Sequence, residues 1–108
     1  MVRDDLPHGL QASQAIHAAH QFSFEHREEC ERWFRESNTI VLVSAPDADT
    51  LDALRARADS AGVPVSAFSD DDLGLRLTSL ALGPGLDAKK LCQHLPLAMS
   101  ERKEVCAA

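Results

Sequence analysis

The stretch Thr39-Ile40-Val41-Leu42-Val43-Ser44 constrains this chain more than any other. It is β-branched and apolar throughout, with no alternation of polar and apolar positions. Alternation marks a strand with one wet face, and its absence marks a strand buried on both faces. Such a strand needs helices packed above and below its sheet. The run therefore predicts an interior strand in a layered α/β domain, with Ile40 to Val43 almost fully buried. The 108 residues suit one core, and 44% apolar content can fill it without disulfides.

The remaining elements fall around that strand. Met1 to Asp5 reads as a short first strand and Leu6-Pro7-His8-Gly9 as a loop. Ala12, Ala15, Ile16, Ala19 and Phe22 recur at helical spacing, which predicts a helix from about Gly9 to Phe22. Ser23 is a candidate N-cap for a second helix running to about Ser37, with Cys30, Trp33 and Phe34 on its apolar side. Asp47 caps a third helix, which ends at Gly62 ahead of Pro64. Val65 to Ser69 is a strand, Asp70 to Gly74 a turn, and Leu75 to Leu82 a further strand. Asp87 caps a short helix through Cys92, Leu95-Pro96-Leu97 adds an extended edge, and Ser100 to Ala108 is a frayed tail. Helices between strands imply parallel crossovers, whereas the short Asp-rich link leaves no room for a joining helix. A three-layer α/β/α fold with a small mixed four-stranded sheet follows, in one domain over 1–99 with a tail over 100–108.

Charge limits the function classes. Seventeen acids stand against eleven Lys and Arg, a net charge of −6. Nucleic-acid binding would need a local basic patch, for which Arg3, Arg76, Lys89 and Lys90 are the candidates. Cys30, Cys92 and Cys106 form no CxxC pair, which argues for reduced thiols in a cytoplasm. The acids at Asp4 and Asp5 argue against a secretory signal, and no apolar stretch is long enough to span a membrane.

Several side chains could carry chemistry. His17 and His20 are helix neighbours and could be half a metal site, but no third ligand is evident. Gln14, His17 and Gln21 form a polar stripe, either bonded to loops at the sheet edge or walling a cleft. Asp70, Asp71 and Asp72 follow a strand, where open α/β sheets bind ligands, although turns favour Asp for conformational reasons alone. His8 lies in the loop entering the first helix, close to that helix's N-terminus, where an imidazole could serve as an acid or base. No GxGxxG, phosphate loop, HExxH or GxSxG occurs.

Arg3-Asp4-Asp5-Leu6, Gly9, Gln14 and His17-Ala18 together resemble the opening of the peptidyl-tRNA hydrolase 2 family. There a strand ends in an acidic-leucine step before Gly-Lys-x-x-x-Gln-x-x-His-Ala. Trp33, the apolar run at Ile40 to Val43, the helix end at Gly62, an Asp-containing turn, Gly83-Pro84 and Leu95-Pro96-Leu97 extend the likeness over Arg3 to Leu97. The resemblance implies hydrolysis of the ester joining a peptide or aminoacyl group to tRNA, with no metal or organic cofactor. It implies a tRNA or peptidyl-tRNA partner, no membrane, and in several members a homodimer. Carried over, Asp70 orients the attacking water, and Gln14 and His17 shape the cleft; in place of the lysine, His8 is the candidate acid or base. Arg76, Lys89 and Lys90 are candidate substrate contacts. Leu10 stands where the family has lysine, and no Arg-Thr pair follows the shortened Asp70 turn. A non-catalytic binding or regulatory module on the same scaffold is the alternative.

Overall fold

A computed structural model describes residues 1–100. Its elements run β1 (Val2–Arg3), α1 (His8–Glu25), α2 (Arg27–Arg35), β2 (Ser44–Ala45), α3 (Ala48–Ser60), β3 (Val65–Ser69), β4 (Leu77–Leu82) and α4 (Leu86–Cys92). The sheet order is β2-β1-β4-β3. β1 and β2 are parallel, and β4 runs antiparallel to both β1 and β3. This mixed four-stranded sheet, with α1 packed against β3 and β4 and α3 packed against β4, fits the expected α/β/α architecture. Among the described residues, no helix is long and apolar enough to cross a membrane. Beyond Ser100, the expected tail and Cys106 lie outside the described residues.

The apolar run at 39–44 is not an interior strand. Only Ser44–Ala45 is strand, at one end of the sheet, and Val43 makes an isolated bridge to Leu97. Val43 is 2% exposed, but Ile40 is 76% and Val41 48% exposed. The cause is the length of the neighbour. β1 has two residues, so Val2 pairs with Ser44, Arg3 pairs with Ala45, and no strand lies opposite Ile40 or Val41. The Leu95-Pro96-Leu97 edge forms as expected, with Ala98 N bonded to Leu42 O and Ser44 N bonded to Pro96 O.

Helix ends differ from the expected ones in informative ways. α1 runs past Ser23, whose hydroxyl bonds back to Ala19 O inside the helix instead of capping the next one. His8 is not in a loop but is the first residue of α1. Asp47 caps α3 as expected, accepting from Thr50 N at 2.8 Å. Gly62 follows at φ 72°, a left-handed position that suits glycine at a helix end. The cap of α4 is Gly85, and Asp87 lies in the first turn.

The two faces of the sheet are held differently. Met1, Val43, Ala45, Leu51, Leu54, Leu77, Leu80 and Leu95 form the main apolar core, on the α3 side. On the α1 side the buried groups are largely polar, including Gln11, Gln14, Ser66, Thr78 and Ser79. α1 is therefore tied down by specific hydrogen bonds, and these fix its register on β3 and β4.

Candidate active site

Four contacts set α1 antiparallel along β3. Gln14 meets Asp70, His17 stacks on Phe68, Gln21 bonds Ala67 O, and Glu25 accepts from Ser66. The Gln14–His17–Gln21 stripe thus meets the edge strand of the sheet. The His17 and Phe68 rings lie 4.5 Å apart and within 6° of parallel.

At its upper end the stripe enters a directed hydrogen-bond chain. Gln14 Nε2 donates to Asp70 Oδ2 at 3.0 Å, and Thr78 Oγ1 donates to Gln14 Oε1 at 2.5 Å. An ionised carboxylate only accepts, so the amide must present its NH₂ to Asp70 and its carbonyl to Thr78. The Thr78 hydroxyl has one proton and also lies 3.2 Å from Phe68 O, but the shorter contact is to Gln14. Ser79 Oγ bonds the backbone carbonyl of Gln14 at 2.7 Å. Gln14 is 2% exposed and Thr78 0%, so both act from beneath the surface.

Two consecutive strand residues reach one helix because the ladder slips. Phe68 pairs with Ser79 and Ser69 pairs with Leu77, which leaves Thr78 as the extra residue of a bulge. A bulge turns a side chain to the face it would otherwise miss. Leu77 and Leu80 stay in the α3-side core, while Thr78 and Ser79 both turn to α1. Thr78 was not among the residues expected at the site. Its signal is the adjacent polar pair between Leu77 and Leu80, which breaks strand alternation.

Asp70 also builds its own turn. Its Oδ1 accepts from Asp72 N at 2.9 Å, and its carbonyl accepts from Leu73 N and Leu75 N. The turn closes through Gly74 at φ 89° and Leu75 at φ 64°, a left-handed position that costs a leucine strain. Asp71 and Asp72 are exposed. Of the three aspartates, Asp70 is the one joined to Gln14. It sits just past the carboxyl end of β3, where open α/β sheets place ligand sites.

The other expected site residues are not all gathered here. Leu10 lies one helical turn before Gln14 on the same side of α1 and is partly exposed. His8 is exposed, about 9 Å further along the axis than Gln14 and about 120° around it. The first amides of α1 point outward beside it, since Gln11 N makes the first intrahelical bond, to Pro7 O. Arg76 is paired with Asp49 and Asp52 of α3. Arg3 is paired with Asp5 at 2.8 Å and reaches Leu77 O, and its hydrogen bonds hold the Asp5 carboxyl below the usual carboxylate range. Lys89 and Lys90 are exposed on α4, which packs on α3, away from α1. His20 is exposed, and the described residues hold no group of three ligating side chains that could bind a metal ion.

A family model described as peptidyl-tRNA hydrolase PTH2 matches residues 1–98, a span that takes in every strand and helix above, including the Asp70–Gln14–Thr78 chain. The chain belongs to the peptidyl-tRNA hydrolase 2 family.

Proposed function

We propose that this chain hydrolyses the ester between a peptide or aminoacyl group and tRNA, with Asp70 as the group that orients and deprotonates water. The hydrogen bond from buried Gln14 to Asp70 carries the reading. A carboxylate has about four lone-pair sites. Gln14 and Asp72 N take two, on different oxygens, and the others are left for a water. The water oxygen attacks the acyl carbon and its proton passes to Asp70. The tetrahedral oxyanion then collapses, the bond to the ribose oxygen breaks, and that oxygen takes a proton. Gln14 and Thr78 are positioning residues in this scheme, because neither reaches the surface. His8 is the candidate donor to the leaving oxygen, and the open amides of the first turn of α1 are candidates for oxyanion contact. The cysteine spacing, with no CxxC pair, supports action in a reducing cytoplasm.

The non-catalytic alternative has one observation in its favour. Leu10 presents an apolar side chain one turn from Gln14, and Arg3 and Arg76, the arginines nearest this end of the sheet, are already ion-paired. Missing one transition-state charge costs about 10²–10³ in rate. Hydrolysis of a model peptidyl-tRNA should therefore be slow with the native chain and faster with Leu10→Lys. No hydrolysis by either folded form would leave the binding-module reading standing.

A further inference from the structure

Asp70, Asp71 and Asp72 lie in one tight turn, with Asp71 and Asp72 exposed. Asp72 N bonds Asp70 Oδ1 at 2.9 Å, and Leu73 N bonds the Asp70 carbonyl. Gln14 meets Asp70 with an uncharged amide. Among the described residues none of the three carboxylates forms an ion pair. Arg3 is held by Asp5, and Arg76 by Asp49 and Asp52. Leu10, one turn before Gln14, and Leu75, whose N bonds the Asp70 carbonyl, are exposed and carry no charge. The corner therefore presents negative charge that no neighbouring cation offsets, edged by apolar side chains.

Given Asp70 as the group that orients water, we propose that this corner selects the ester of an amino acid with a free α-ammonium over an ester whose α-nitrogen is blocked by a peptide bond. A water poised for attack stands about 3 Å from the acyl carbon and within hydrogen-bond reach of Asp70. The α-nitrogen is two bonds from that carbon, so it falls within about 6 Å of the Asp70 carboxylate, where an opposite charge is attracted. Asp71 and Asp72 add to the same field. They repel the phosphates of the tRNA, which turns the acyl end of the ester toward them and the nucleotide end away. An N-acyl group deletes the attracted charge. In the reaction one water is consumed and the bond from the acyl carbon to the ribose oxygen breaks. A free amino acid leaves, and the ribose oxygen takes up the proton that Asp70 accepted.

Single-turnover hydrolysis of leucyl-tRNA and N-acetyl-leucyl-tRNA tests this, each rate taken above its own buffer background. The pair shares one apolar side chain suited to Leu10 and Leu75 and differs at the α-nitrogen. At about pH 6.5 the free α-amino group is charged, its usual pKa being about 7.7–8.0. The native chain should act about tenfold faster on leucyl-tRNA, as one partly screened charge interaction at that distance supplies. Asp71→Asn with Asp72→Asn should cut the preference to about threefold and leave the N-acetyl rate unchanged. Leu10→Lys should reverse the order, because a cation there opposes the ammonium. Fluorescence anisotropy with amide-linked, non-hydrolysable forms of both tRNAs separates selection from catalysis. No turnover of either ester, with tighter binding of the amide-linked leucyl form, would end the hydrolase reading and leave the selection standing. Turnover without a preference for leucyl-tRNA, or a preference that the paired Asn changes leave intact, would overturn the selection and leave the hydrolase reading standing. No turnover and no difference in binding would overturn both.

Discussion

Gln14 and Asp70, 56 residues apart in sequence, are joined side chain to side chain at 3.0 Å. The amide belongs to the middle of α1 and the carboxylate to the turn after β3. Their bond ties the helix to the turn that carries Asp70.

The chain Thr78–Gln14–Asp70 should behave as a unit. Gln14→Leu leaves the Thr78 hydroxyl buried without its nearer acceptor, and Thr78→Val removes a donor beneath Gln14. Each should cost about 1–3 kcal/mol. The double variant should cost less than the sum, because the second change removes a group already orphaned. Urea unfolding of the four forms measures this, and strict additivity would show that the two side chains are not coupled.

Leu51 and Ile40 should respond oppositely to truncation. Leu51 is fully buried in the α3-side core, so Leu51→Ala should cost about 2–5 kcal/mol. Ile40 is exposed, so Ile40→Ala should change stability by less than about 0.5 kcal/mol. Equal losses at both positions would mean that the 39–44 run is covered in solution.

Acid sensitivity should report the Arg3–Asp5 pair. Hydrogen bonds from Arg3 hold the folded Asp5 carboxyl below its unfolded value, which is about 3.9. Its contribution is therefore complete above roughly pH 4 and is lost as pH falls through the lower folded value. Asp5→Asn removes that dependence, so its stability should fall less steeply than the native chain's below about pH 4. Asp47 and Glu25 are shifted the same way in both forms and cancel in the comparison. Parallel curves of urea midpoint against pH would contradict the assignment.

Much of this arrangement was legible in the residues themselves. Helical spacing located α1, the Asp47 cap located α3, and the short Asp-rich link correctly excluded a helical crossover between β3 and β4. What the residues hid was non-local. The apolar run at 39–44 reads as interior because sequence does not reveal that β1 offers it only two partners. Thr78 escaped notice because its direction depends on a register slip against Phe68 and Ser69. Arg76 looked available as a site cation until the fold brought Asp49 and Asp52 to it. Gln14 and Asp70 were each visible as candidates, but only folding decides which of three consecutive aspartates meets the glutamine.

The most direct test of the account is single-turnover hydrolysis of a peptidyl-tRNA by the native chain and by Asp70→Asn. Asparagine keeps the size of the side chain but cannot take a proton from water. The native chain should turn over slowly but above the buffer background, and Asp70→Asn should fall to that background while the fold persists. A native rate that Asp70→Asn leaves unchanged would place the chemistry elsewhere and contradict the central role given to Asp70.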